Sequence, residues 1–139
     1  MMYKICFILI LLIYNLSAKE ILVIANQDFP LENISKTKLK MIFLNKKHYI
    51  KEIQILPINY SPDNPLRCCF EKTILKKSKR SLQRYWLDAH YHGRRPPKVV
   101  KSKKTLLKYL QNIPGSIGYI DSNITLDHNY KILFKEKCL

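Results

Sequence analysis

No stretch of this chain is apolar for long enough to cross a bilayer as a helix, which takes about 20 residues. The longest apolar run, Ile5 to Tyr14, has ten. No Leu-x-x-Cys lipobox ends it, since Cys6 lies near its start, so no lipid anchor is expected. No internal repeat or low-complexity linker interrupts the 139 residues, which fit one domain. Acids are scarce: ten Asp and Glu stand against 25 Lys and Arg. Such an excess draws anions of every kind, whether phosphate, nucleic acid or anionic lipid head groups. Biased composition accounts for most of it, because Lys, Ile, Leu, Asn and Tyr are abundant together and most lysines belong on solvated surface.

Catalytic patterns are missing as well. Asp28 and Asp63 form no acid/base pair by spacing, and no motif joins a cysteine to His48 or His128 as nucleophile and base. His90 and His92, with Asp88 nearby, invite a metal reading. Residues two apart on a helix point about 200° apart, so a frayed, solvent-facing helix end is expected instead. Trp86 and its neighbouring tyrosine belong to a core face, and Arg94-Arg95 to exposed chain before prolines. The expectation is binding without an enzyme activity, a metal or a cofactor.

What is present begins with an export signal. Lys4 gives a short positive segment, Ile5 to Tyr14 the apolar one, and Asn15-Leu16-Ser17-Ala18 ends in a small residue. Cleavage after Ala18 is expected, giving a periplasmic domain over residues 19–139 that touches the membrane only through its transient signal; the rival reading is an uncleaved N-terminal anchor. Losing Lys4 leaves 24 basic residues against 10 acids, a net charge of +14. The 121 remaining residues bury enough surface for a core without metals or staples. Cys68, Cys69 and Cys138 remain. An odd number in an oxidising compartment allows one disulfide, from Cys138 to Cys68 or Cys69, or three unbridged thiols.

The chain alternates strands and helices. Residues 20–25 and 53–58 read as strands, with a loop at 26–33 between the first strand and a helix. Ser35 caps that helix, which carries Leu39, Ile42 and Phe43 on one face. Asn64 followed by Pro65 starts a helix running to about Lys77, with Leu66, Cys69, Phe70 and Thr73 as its stripe. Ser78 caps the next, through Leu82, Tyr85, Trp86 and Ala89, which Gly93 closes. Residues 98–100 form a short strand, and Ser102 caps a helix with Leu106, Leu107 and Leu110. Pro114 stops that helix, Gly115 supplies a φ > 0 turn, and Ile117 to Ile120 is a strand in which Gly118 permits close approach. Tyr130 to Phe134 is the last strand. The fold class is α/β: a single compact domain with a mixed sheet flanked by helices.

One constellation carries chemistry. A helix that starts at Asn64-Pro65 turns free N–H groups and the positive end of its dipole toward the preceding loop. Ser61, Asn64 and Arg67 supply a hydroxyl, an amide and a guanidinium, a set that holds an oxyanion without catalysis. Ser116, in the neighbouring Pro-Gly bend, adds a second hydroxyl. The plainer reading makes Asn64 a cap and Arg67 surface.

Four segments in order then resemble the phosphate ABC transporter substrate-binding family, PstS-like proteins of the type II periplasmic binding fold. Met41-Ile42-Phe43-Leu44-Asn45-Lys46-Lys47 resembles the family's Ile-Phe-x-Gly-Lys helix end. Ser61 to Arg67 stands in the position of its anion-binding loop, and Gly93 to Val100 resembles the glycine-proline stretch of its short members. Pro114 to Tyr119 resembles its Pro-Gly-Ala-Ile-Gly-Tyr turn. The resemblance spans residues 21–134 and implies an exported solute-binding protein for phosphate or a related oxyanion, partnered by an ABC permease. The departures are specific. The family's N-terminal serine/threonine loop has no counterpart, so the chain is truncated relative to the two-lobed proteins. Asn64 stands where the family has serine, Leu66 where it has threonine, and Tyr60 where it has arginine. Two rival classes remain open. One is an envelope interaction module that keeps the fold without a small ligand. The other is a basic protein on nucleic acid or anionic lipid, seeded by the 76–80 and 94–104 clusters; most nucleic-acid versions need retention in the cytoplasm, so for an exported chain no nucleic-acid partner is expected.

Overall fold

A computed structural model describes residues 19–138. The expected signal segment, 1–18, lies outside the described residues. Among these, no helix is long and apolar enough to cross a membrane. The elements are β1 (Glu20–Asn26), α1 (Lys36–Phe43), β2 (Tyr49–Ile50), β3 (Ile53–Gln54), β4 (Leu56–Tyr60), α2 (Pro65–Phe70), α3 (Lys79–Tyr91), β5 (Lys98–Val100), α4 (Lys103–Asn112), β6 (Ser116–Asp121) and β7 (Tyr130–Lys137).

Five strands form one mixed sheet in the order β5–β4–β6–β1–β7. The strand β4 runs parallel to both β5 and β6, while β1 is antiparallel to β6 and β7. Ile21 to Ala25 are all buried, as suits a continuous apolar strand covered on both faces. The alternation of β6 shows what covers them. Gly118 faces α4, where Leu106 packs so close that an added Cβ would lie 2.6 Å from its Cδ1. Tyr119, on the other face, meets α1 and α2: its ring stacks on Phe70 with centroids 4.0 Å apart, and Phe43 lies 4.6 Å from Phe70. The sheet is therefore the middle layer between helices, the expected fold class.

Four expected caps form as the sequence implies. Ser35, Asn64, Ser78 and Ser102 each accept a backbone N–H two or three residues on. At the end of α1, Asn45 has φ 56, a left-handed conformation that asparagine tolerates better than most residues. Other expectations need correction. The strand expected over 53–58 is split between β3 and β4, and β3 forms a separate hairpin with β2. Lys51 and Glu52 turn that hairpin with φ of 47 and 69, without the Asn-Gly that normally marks such a turn. Pro57 sits where β4 changes partners: Leu56 and Pro57 pair with β6, and pairing with β5 starts at Ile58. The helix expected to Lys77 keeps α geometry only through Phe70, widens to a π turn over Glu71–Leu75, and ends at Lys76 with φ 55.

Cys69 and Cys138 are disulfide-bonded with Cα atoms 5.5 Å apart, and Cys68 is free. The bridge spans 69 residues. In the chain-entropy picture a loop of that size stabilises by about 4 kcal/mol. It fastens the end of β7 beside α2.

A polar knot sits inside the core. Tyr60 Oη donates to the Tyr119 carbonyl at 2.9 Å, and Tyr119 Oη donates to Asn59 Oδ1. Burial pushes the Tyr60 phenol well above its usual 10.0, with the nearby Asp121 carboxylate adding to the rise. Burial likewise raises Tyr119 well above that value, against the opposing charge of Arg67.

Two predictions follow from this packing. Gly115 has φ +80, and a Cβ there would stand 2.0 Å from the Gln54 carbonyl oxygen. Gly115→Ala therefore destabilises by more than the ~1 kcal/mol of an ordinary exchange. Gly118→Ala, which meets only the end of a leucine side chain, costs less. Urea unfolding midpoints compare the two, and an unshifted Gly115→Ala midpoint contradicts the turn. The tyrosines set an alkaline limit. Their folded pKa values exceed the unfolded one, so their contribution is complete below about pH 10 and is lost as pH rises beyond it. An absorbance titration at phenolate wavelengths should show Tyr60 and Tyr119 ionising only as the fold is lost. Titration of both in the folded protein would contradict the buried pair.

Candidate functional site

In open α/β sheets the crevice lies outside the carboxyl ends of parallel strands, where the connections part to either side. Here β4 is that strand, with β5 on one side and β6 on the other. It leads through Ser61–Asn64 into α2, and β5 leads through Lys101 and Ser102 into α4. Tyr60 and Val100 are register partners, so the two exits leave the sheet side by side. Two helix starts, with the positive ends of their dipoles, therefore flank one edge of the sheet.

The turn between β4 and α2 is built from local bonds. Asn64 N–H donates to the Ser61 carbonyl at 3.0 Å, and Asn64 Oδ1 accepts from Leu66 N–H at 2.8 Å. Among the described residues that cap leaves the Asn64 side-chain NH2 group without a hydrogen-bond partner. Pro65 has no N–H, and Cys68 N–H bonds the Asn64 carbonyl at 3.2 Å. Arg67 lies folded against the sheet. Its Nη1 donates to the Tyr60 carbonyl at 2.7 Å and its Nε to Glu71 Oε2 at 3.2 Å. The pair is largely buried, with side-chain exposures of 16% and 7%. At the neighbouring exit, Ser102 Oγ accepts from Thr105 N–H, and Lys103 Nζ bonds Asp121 Oδ1 at 3.0 Å. A hollow of about 460 Å³ opens beside Arg67 and is walled by Pro62, Glu71, Leu82 and Trp86.

Three of the four expected site residues, Ser61, Asn64 and Arg67, share this turn. Ser116 does not belong with them. It is the register partner of Leu56, at the opposite end of β4. Five residues of strand at about 3.3 Å each put roughly 16 Å between it and Ser61. Ser116 is also buried, and its Oγ donates to the Ile113 carbonyl at 2.7 Å, closing the end of α4. The Pro-Gly bend is thus a helix-end device on the far edge of the sheet.

Lys101, Ser102 and Lys103 are the residues that sequence reasoning passed over as part of the site. Ser102 was legible as a cap, but its nearness to Ser61 depends on the parallel β4–β5 register, which no local signal encodes. The three-residue His90–His92 segment is exposed at the end of α3, with His92 Nδ1 3.0 Å from the Asp88 carbonyl and 3.9 Å from its carboxylate. Among the described residues no group of three His, Cys, Asp or Glu could hold a metal.

No protein-family profile and no curated protein sequence matches this chain. Solved structures do. A phosphate transport receptor of the ABC type from Vibrio cholerae superposes with a TM-score of 0.65 at 16% identity, over 83% of this chain and 45% of the receptor. A putative phosphate ABC transporter substrate-binding protein from Clostridium perfringens, solved with bound phosphate, gives 0.67 at 15% identity, over 84% and 45%. PstS from Borrelia burgdorferi gives 0.59 at 20%, over 76% and 42%. The chain spans less than half the length of these proteins. Over that matched part it shares the fold of these phosphate ABC transporter substrate-binding proteins.

Proposed function

We propose that the chain is an exported solute-binding protein that takes phosphate or a related oxyanion at the carboxyl edge of β4 and β5. The observation that carries this reading is the pair of helix starts placed side by side there by the β4–β5 register. In the proposed complex the Asn64 NH2 group and the Ser61 hydroxyl donate to the oxyanion, and Arg67 keeps positive charge beneath it. Lys101 and Lys103 contribute at the neighbouring exit. The role is binding; an ABC permease, implied by what the structural neighbours are named for, is the proposed partner.

This turn supplies one wall of a site, and its donors are partly engaged. Leu66 N–H serves the Asn64 cap, and Arg67 bonds Glu71 and Tyr60. Weak affinity is the consequence. The same observation favours the second reading, an envelope interaction module that binds no small ligand, and calorimetry separates the two.

Phosphate titrated into the protein should give a saturable heat with a Kd of about millimolar order. No heat at concentrations tenfold higher would reject the site. Two variants refine the test. Asn64→Asp keeps a competent cap but replaces the NH2 donor with negative charge, so binding should vanish while stability holds. Arg67→Ala alone leaves Glu71 buried and unpaired at a cost of about 3 kcal/mol or more. The double variant Arg67→Met/Glu71→Leu should retain more stability than Arg67→Ala and still lose phosphate. Retained binding in both Asn64→Asp and the double variant would remove these residues from the site.

A further inference from the structure

The excess of positive charge is unevenly placed. From Lys72 to Lys104 the chain carries one acid, Asp88, among a dense series of lysines and arginines. Within that stretch Lys79, Arg80 and Arg84 lie on α3, and among the described residues none has a carboxylate within ion-pair distance. Other lysines are matched: Lys36 with Glu136, Lys131 with Glu32 and, past the end of α3, Lys103 with Asp121.

The arrangement on α3 is more specific than charge. At about 100° per residue, Arg80, Arg84, Leu87 and Tyr91 fall within roughly 60° of arc. All four are exposed, Leu87 at 66% and Tyr91 at 80%. The opposite face is the core side, where Leu82 and Ala89 are buried. Two arginines and two large apolar side chains thus form one outward stripe along a 13-residue helix. Neither half explains the other as ordinary surface. An exposed leucine alone is ordinary surface, but Leu87 and Tyr91 stand one turn apart and make a small apolar patch directly beside two arginines that no carboxylate neutralises among the described residues.

We propose that the outer face of α3 is a docking surface for an anionic phospholipid bilayer. Arg80 and Arg84 hold lipid phosphates, with Lys79 on the flank, and Leu87 and Tyr91 enter the boundary between head groups and acyl chains. The helix lies along the surface and does not span it. Nucleic acid matches the arginines, but its affinity rests mainly on phosphate contacts, whereas the head-group and acyl boundary of a bilayer takes the arginines and buries Leu87 and Tyr91 together. Lys79 and Leu87 also line the hollow beside Arg67, so this face adjoins the phosphate site; the vesicle readout below needs no phosphate and tests the face on its own.

The test is cosedimentation of the full chain with vesicles of phosphatidylcholine alone or mixed with phosphatidylglycerol. The apolar run near the N-terminus contributes to both, so the readout is the difference between them. The chain should bind the anionic vesicles roughly tenfold more tightly. Both Arg80→Gln/Arg84→Gln and Leu87→Ser/Tyr91→Ser should reduce that preference several-fold, with unfolding midpoints unchanged because all four side chains are exposed. Arg80→Lys/Arg84→Lys, the conservative control, should keep it. An equal preference in wild type and both variants overturns the proposal. So does a loss confined to the arginine pair, which would mean charge alone. Tighter binding to a single-stranded oligonucleotide, unaffected by Leu87→Ser/Tyr91→Ser, would assign the face to nucleic acid instead.

Discussion

The stack of Phe70 on Tyr119 is the contact on which the rest of the structure turns. It joins α2 to β6, and Tyr119 in turn is tied to β4 through Tyr60 and Asn59. Both rings are fully buried, so each contributes about 1.5–3 kcal/mol of apolar burial before any geometric preference. Because Phe70 ends α2, the stack sets where that helix begins, and hence where Ser61, Asn64 and Arg67 stand over the end of β4. Arg67 and Glu71 lie on the same short helical segment and close its inner side as a buried pair. The disulfide from Cys69 to Cys138 pulls the last strand in beside them. Packing, pairing and covalent bond all converge on the segment that carries the candidate site.

Much of this was legible in the sequence wherever the signal was local. Caps at Ser35, Asn64, Ser78 and Ser102 are short-range hydrogen bonds between a side chain and an amide two or three residues on. The apolar run of β1 announced a strand, and Pro114-Gly115 announced a turn. The failures share a cause. The β2–β3 hairpin turns on Lys51 and Glu52, residues with no preference for φ > 0, and is held by its surroundings. The π turn after Phe70 reflects tertiary packing of Ile74 and Leu75 into the core more than any residue preference. Ser116 was placed beside Ser61 because both sit in bends next to helix ends. Only the parallel register of β4 and β6 shows that the bends lie at opposite edges of the sheet.

The setting of the sheet edge bears on what the proposed site could hold. The structural neighbours are more than twice as long as the part this chain matches, and the neighbour from Clostridium perfringens was solved with phosphate bound. The two helix starts at one edge of the sheet offer positive potential and a few donors, beside a hollow that α3 walls with Leu82 and Trp86. Electrostatic attraction at such an edge is screened by salt and weak in free energy. The α3 face adds a different kind of attraction, charge coupled to exposed apolar area, which a bilayer satisfies better than a small anion does.

The claim at the centre of this account is positional, and amide chemical shifts address it residue by residue. With phosphate added to the isotopically labelled protein, the amides of residues 61–67 and 101–105 should move together and saturate, while those of 113–118 stay still. Unmoved amides at 61–67, or shifts concentrated around 113–118, would contradict it.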